Sequence, residues 1–205
     1  MKVYWGNASD NRSKEVMREH NFGIMYSGNW NLNNAKEFYF SIDNGAFSTW
    51  INNREYDGKQ FLLLLTRCLY HHIVPDFAVC PDKVGEGTKS LRFSLEWLKR
   101  LPRGFNYYLA VQNGITAHDI KPYLDLFKGL FVGGTLEWKY KTSERWVKFA
   151  HDNGLKCHIG RIGTLQKVLW AIRINADSID STSWPRNKSW EKHLLPAFKQ
   201  KRLDV

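Results

Sequence analysis

Cysteine is scarce. Cys68, Cys80 and Cys157 are the only three in 205 residues, and no two stand at Cys-x-x-Cys spacing. An odd, scattered count gives neither a disulfide framework nor a zinc motif, so reduced structural thiols are the expectation. Cys157 and His158 are adjacent in sequence. On a strand they would point to opposite faces and would not share one ion. Long apolar runs are also missing. None approaches the roughly 20 residues of a membrane span, and residues 61–65 read as the buried face of a helix. No membrane partner is expected. The first residues, Met1-Lys2-Val3-Tyr4-Trp5, lack the charged and apolar regions of a signal peptide, which makes the cytoplasm the expected location. No linker or low-complexity stretch divides the chain, so one domain over 1–205 is expected.

Acidic residues are the minority. Asp and Glu number 20 against 30 Lys and Arg, a net charge of +10. Such an excess favours a polyanionic partner, because neutralising phosphates releases counterions. Hydrophobic residues make up 43% of the chain and aromatics 15%, which excludes a disordered chain and supplies a core.

Short apolar runs alternate with amphipathic stretches. Eight strands are expected, at 3–5, 23–26, 38–43, 77–81, 107–112, 130–133, 156–159 and 178–180. Continuous apolar runs suit parallel strands covered on both faces. Asp57 with Gln60 reads as the start of one helix, and Thr116 with Asp119 as the capping box of another. Trp146, Val147 and Ala150 share a helical face before Asn153-Gly154, a helix-end signal. Leu165, Val168, Leu169 and Ile172 repeat at helical spacing, and segments near 10–20, 31–37, 88–100 and 189–200 complete the set. Eight β-then-α units predict an α/β fold, a compact (β/α)8 barrel. The rival is an open doubly wound sheet, but no G-x-G-x-x-G follows the first strand.

In such a barrel, chemistry collects at the C-terminal ends of the strands. Those ends carry Asp43, Asp82, Gln112, Gly133-Gly134, Gly160 and Asp180. Each has an ordinary reading as a turn or cap residue. Together they suggest one pocket. Three carboxylates, an amide and exposed backbone suit a planar hydrogen-bonding ligand. A carboxylate such as Asp82 can accept from N1–H and the exocyclic amine of guanine. Gln112 and the N–H groups of Gly133 and Gly134 can donate to O6, and Phe47 can stack on the ring. A further carboxylate could attack a sugar C1′ while another manages protons.

Several segments resemble the tRNA-guanine transglycosylases. Ile42-Asp43-Asn44-Gly45-Ala46-Phe47 resembles their Asp-Ser-Gly-Gly-aromatic segment, and Ala110-Val111-Gln112-Asn113-Gly114 their V-Q-G-G segment. Phe131-Val132-Gly133-Gly134 resembles their G-G loop. His158-Ile159-Gly160-Arg161-Ile162-Gly163 resembles the segment before their last barrel helix. Asp177-Ser178-Ile179-Asp180-Ser181-Thr182 resembles the D-x-x-D segment carrying their nucleophile. The ordered set runs from about residue 38 to 186. The short chain and Gly133-Gly134-Thr135-Leu136-Glu137-Trp138-Lys139 resemble the phage branch, which inserts 7-deazaguanine derivatives into DNA.

The resemblance implies Asp180 as nucleophile on C1′ and Asp43 as general acid/base. It implies Asp82, Gln112, Gly133 and Gly134 as readers of the base, Phe47 as its stacking partner and Thr135 near the 7-substituent. It implies no metal or redox cofactor, a free 7-deazaguanine base as co-substrate, and the host cytoplasm for a phage-encoded enzyme. The zinc subdomain of the tRNA enzymes, with its Cys-x-Cys-x-x-Cys cluster, has no counterpart, which favours DNA over tRNA. Asn44 and Ala46 replace the serine and second glycine of the first motif, and Gly160 stands where a bulky apolar residue often covers the ring. Ile162 or Arg161 could fill that space. Lys139, Lys141, Arg186 and Lys188 follow strand ends and are candidate phosphate contacts, interleaved with Tyr140, Trp184 and Trp190. Base exchange on tRNA, a base-releasing N-glycosidase and an inactive basic nucleic-acid-binding module are the alternatives. His71-His72 reads as structural, and Lys199, Lys201 and Arg202 as a solvated tail.

Overall fold

Eight short parallel strands close into a barrel in chain order, each paired with the next and the last with the first. The computed structural model describes residues 1–6, 10–27 and 32–200. Asn31, Lys201 and Arg202 of the expected segments lie outside the described residues. The strands are β1 (Lys2–Gly6), β2 (Gly23–Tyr26), β3 (Phe40–Ile42), β4 (Ala78–Val79), β5 (Tyr107–Val111), β6 (Gly129–Val132), β7 (Lys156–Ile159) and β8 (Ser178–Ser181). All eight expected strands are present, and the chain is an α/β (β/α)8 barrel. The third and fourth are shorter than expected. Their last residues leave the ladder to form the loops that carry Asp43 and Asp82.

Strand parity separates two apolar layers. Tyr4, Met25, Phe77, Val79, Tyr108 and Ala110 fill the barrel interior, with Tyr39 and Phe131 packed against them. Phe77 and Tyr108 stack there at 4.0 Å. Alternate residues such as Val3, Ile24, Ile42, Leu109, Val132 and Ile179 face the helices in a second, larger core. The interior is therefore packed, and a ligand can enter only at an end.

Most connections are helical. They include α1 (Asn11–His20), α2 (Ala46–Ile51), α3 (Lys59–Tyr70), α4 (Thr88–Leu98), α5 (Ala117–Ile120), α6 (Leu136–Asp152) and α7 (Leu165–Arg173). After β8 come α8 (Ser183–Asn187), α9 (Trp190–His193) and α10 (Leu195–Gln200). Between β2 and β3 the structure has only a 3-10 turn, Leu32–Lys36, consistent with the low helix propensity of its asparagines. Thr116 and Asp119 form the expected capping box. Asp57 does not cap α3. Gly58, in the left-handed region at φ 65°, occupies that place, and Asp57 accepts from the Lys59 N–H at 3.1 Å. Helix α6 buries Lys139, Ser143, Trp146, Val147 and Ala150, one face at helical spacing. None of the described helices is long and apolar enough to cross a membrane.

Candidate active site

Asp180 sits in β8, its side chain turned into the barrel mouth and only 8% exposed. Its Oδ1 accepts from two donors, His158 Nε2 at 2.9 Å and the Arg161 N–H at 3.1 Å. A carboxylate only accepts, so Nε2 carries the proton of this bond. The other ring nitrogen, Nδ1, lies 2.8 Å from the Ser178 hydroxyl. The imidazole is fully buried and stacks on Phe131 at 4.9 Å. One carboxylate oxygen is thus fixed from below. The other, Oδ2, has no hydrogen bond among the described residues.

Asp43 follows β3 and Asp82 follows β4, both half-buried. The Asp43 carboxylate accepts the Gly45 N–H at 2.9 Å, closing an Asx turn. Burial pushes its pKa up to about 7. The Gly45 bond works against that rise, the charges of Asp180 and Asp82 add to it, and Arg161 offsets it. Those couplings place the three carboxylates in one electrostatic neighbourhood. Asp82 accepts from Asn44 Nδ2 at 2.8 Å and from Gln112 Nε2 at 3.2 Å, one on each oxygen. Burial raises its pKa to about 6 against those two bonds. Asp82 does not cap α4; Gly87 holds that position.

The other expected base readers divide. Gln112 is buried, and its amide is spent on the protein. Nε2 also donates to Lys83 O and Ser90 Oγ, and Oε1 accepts the Gly85 N–H at 2.7 Å. It therefore braces the loop carrying Asp82 rather than facing a ligand. The Gly133 N–H is likewise taken, by Val111 O in the barrel ladder at 2.9 Å. Gly134, at φ 74°, keeps an N–H with no acceptor among the described residues. A Cβ there would lie 2.7 Å from Asn113 Oδ1, so glycine is required. Thr135 caps α6 through Trp138 N, and its own N–H goes to Asn113 Oδ1 at 2.9 Å. Phe47 stands at the rim, 37% exposed.

The expected phosphate contacts need correction. Lys139 is 2% exposed and donates to Gly160 O beneath the mouth. It lies on the inward stripe of α6 and cannot reach a surface phosphate. Burial lowers its pKa to about 7, Arg161 and Lys167 push the same way, and Asp180 opposes them. Trp184 and Trp190 are also buried, Trp190 stacked on Trp5 at 5.3 Å. They are core residues, not platforms for splayed bases. Lys141, Arg186 and Lys188 are exposed, Lys141 paired with Glu137 at 2.7 Å. Tyr140 is exposed and packs against Trp170.

Of the two residues expected to fill the space over Gly160, Ile162 is buried in the core and Arg161 is exposed. Arg161 stands in the left-handed region at φ 61°. Its Nη2 donates to Gly134 O at 2.7 Å, and its guanidinium lies 4.3 Å from the centre of the Phe47 ring. Beside Asp82 a cleft of about 270 Å³ opens, lined by Trp50, Arg54, Tyr56, Lys83 and Phe93 among others. The Tyr56 hydroxyl is buried without a hydrogen bond among the described residues. No group of three or more His, Cys, Asp or Glu side chains among those residues is placed to hold a metal ion. Comparison of the sequence with protein-family models and with curated proteins returns no match.

Proposed function

We propose that the protein exchanges guanine in DNA for a 7-deazaguanine base such as 7-cyano-7-deazaguanine, through a glycosyl ester on Asp180. The observation that carries this reading is the difference in surroundings among three carboxylates at one barrel mouth. Asp180 is held by two donors on Oδ1 with Oδ2 open. Asp43 is half-buried with a pKa near neutrality. Asp82 is fixed on both oxygens by amides. Carboxylates whose environments differ in this way take different roles.

In the first step Asp180 Oδ2 attacks C1′ and the C1′–N9 bond breaks. Protonated Asp43 gives its proton to the departing guanine. In the second step Asp43 takes the N9 proton of the incoming base, N9 attacks C1′, and the ester to Asp180 breaks. Two inversions retain the anomeric configuration. Asp82, as a carboxylate, accepts from the N1–H and amine edge of either base, and the Gly134 N–H is available to its O6. The target nucleotide has to leave its stack for C1′ to reach Asp180. The net positive charge supports a nucleic-acid substrate. On this reading the reaction would run in the cytoplasm, the host cytoplasm for a phage-encoded enzyme.

The test is incubation with labelled guanine and either duplex DNA or tRNA. Label entering DNA is expected, and Asp180→Ala abolishes it while the thermal transition persists. Label entering tRNA alone moves the substrate. Free base released without incorporation makes the protein an N-glycosidase. Full turnover by Asp180→Ala removes the covalent mechanism.

A further inference from the structure

We infer that α2 is a wedge that opens duplex DNA at the target, with Trp50 filling the gap that the extruded nucleotide leaves in the stack and Ile51 flanking it. This rests on the reading above for the substrate, and extends it to how a base held in a duplex becomes reachable.

Helix α2 follows β3 at the mouth and buries only Ala46. Trp50 and Ile51 are 54% and 60% exposed, beside the half-exposed Phe47. Scattered exposed apolar side chains are ordinary, but three within five residues form a patch. The patch is small. Its roughly 300 Å² of apolar surface falls far short of the roughly 1,000 Å² that a stable protein interface buries. A gap in a base stack asks for one flat ring, and an indole is as thin as a base.

The patch is held on a stiff support. At the start of α2, Asn44 Oδ1 accepts the Ala46 N–H at 2.7 Å. At its end a Schellman turn closes. The Asn53 N–H donates to Trp50 O and the Arg54 N–H to Thr49 O, both at 3.0 Å, with Asn53 left-handed at φ 50°. Asn52 Nδ2 adds a bond to Ser48 O at 2.7 Å. A side chain that displaces bases needs a backbone that does not give way, and this one is tied at both ends.

Position selects the occupant. Trp50 lies one helical turn from Phe47 at the rim, the two rings 5.8 Å apart. One short helix thus joins the mouth that takes the base to the surface that the base must leave. The indole also borders the cleft lined by Arg54, Tyr56 and Lys83, so it has open space beside it. Charges on this side nearly balance, exposed Arg54 and Lys83 against Glu55 and Glu86. Across the mouth, after β6 and β8, exposed Lys141, Arg186 and Lys188 supply cations. A polyanion lying over the mouth then meets cations on one side and an apolar wedge on the other. Stacking a base on an aromatic side chain contributes about 10- to 100-fold in affinity, comparable to the cost of unstacking one step. Trp50 is therefore a positioning residue: it touches the stack and not the reacting atoms.

The experiment measures labelled-guanine exchange by the whole protein into one strand presented three ways. These are a duplex, the strand alone, and a duplex with abasic sites opposite its guanines. Trp50→Ala is expected to lower exchange into the duplex about 10- to 100-fold and to leave the single strand unchanged. Abasic sites opposite the target recover most of that loss, because an unpaired base leaves the stack more easily. Trp50→Phe keeps a ring and most of the duplex activity. Equal losses on duplex and single strand overturn the wedge, as does a wild type that acts on single strands only. Sedimentation that finds wild-type dimers dissolved by Trp50→Ala also overturns it, and makes the patch an interface between copies. A duplex carrying 2-aminopurine beside the target guanine reports stack opening without exchange. If the wild type brightens that probe, Trp50→Ala does not, and no label enters DNA, the wedge stands and the transglycosylase reading falls. If Trp50→Ala exchanges into the duplex as well as the wild type, the wedge falls and the function stands. Neither brightening nor exchange removes both.

Discussion

His158 Nε2 donates to Asp180 Oδ1 across 2.9 Å, from a ring whose other nitrogen pairs with the Ser178 hydroxyl at 2.8 Å. Both partners of the imidazole lie in β8, so His158 acts as a positioning residue that sets the angle of the Asp180 carboxylate. His158→Phe keeps the stack on Phe131 and removes the donor. Loss of a hydrogen bond to a charged group predicts a fall in kcat of about 10- to 100-fold with little change in KM. His158→Gln returns an N–H at the Nε2 position and should recover most of that loss. A kcat that falls equally in both variants would make His158 a packing residue only.

Asp43 carries a folded-state pKa of about 7 against an ordinary value near 3.8. Between those values the folded state holds a proton that the unfolded state has lost. Its contribution to stability is therefore full below pH 4 and disappears as pH rises through 7. Asp82, raised to about 6, acts in the same direction over a narrower window. Denaturant midpoints should drop between pH 5 and 7 in the wild type, and the drop should flatten in Asp43→Asn. The same group predicts an inflection near pH 7 in kcat/KM, absent from the residual activity of that variant. A midpoint drop of equal size in Asp43→Asn would rule out this assignment.

Lys139 gives the opposite slope. Its folded-state pKa is lowered to about 7 from 10.5, chiefly by burial. The unfolded state holds the proton more tightly, so stability lost as pH falls through 7 returns as pH rises toward 10. The wild-type midpoint should climb between pH 7 and 9.5. Lys139→Met, of similar length and without a charge, should remove the climb. It also frees Gly160 O, so exchange activity should fall through a looser Arg161 segment. A climb that survives in Lys139→Met would place the titrating group elsewhere.

The barrel was readable because its signals are local. Each strand is a short apolar run, and the period of two puts Asp43, Gln112, Gly133, Gly160 and Asp180 on the inward side of their strands. What the sequence hid is pairing across strands. His158 meets Asp180 from a segment 22 residues away, and no local pattern marks that contact. Gln112 was expected to face the ligand, yet its amide is consumed by the 83–90 loop, whose path depends on tertiary packing. Lys139 had a usable signal. It shares a helical stripe with Ser143, Trp146, Val147 and Ala150, so periodicity opposes the surface role that its charge suggested. Arg161 was readable only as one of two residues that could fill the space over Gly160, because an arginine after a glycine does not announce a left-handed backbone.

Asn44 offers a separate handle on the base edge. It is 6% exposed, and its Nδ2 donates to Cys80 O at 2.9 Å and to Asp82 Oδ1 at 2.8 Å. Its Oδ1 accepts the Ala46 N–H at 2.7 Å, which fixes the turn before α2. Asn44→Asp keeps that acceptor and the shape, but sets a second carboxyl against Asp82. Two carboxyls at hydrogen-bond distance share one proton, so Asp82 titrates higher still. Raised folded-state values contribute stability at low pH and lose it as pH rises. A protonated carboxyl donates only once where Nδ2 donates to both Cys80 O and Asp82, so Asn44→Asp should fall modestly below the wild type near pH 5 and far below it at pH 8. Asn44→Ala instead leaves Cys80 O without its donor at every pH, a loss of about 1–3 kcal/mol. Base affinity should follow the same split, because a protonated Asp82 accepts poorly from a guanine edge. Equal losses in both variants at pH 5 and 8 would show that Asn44 shapes the turn and does nothing for Asp82.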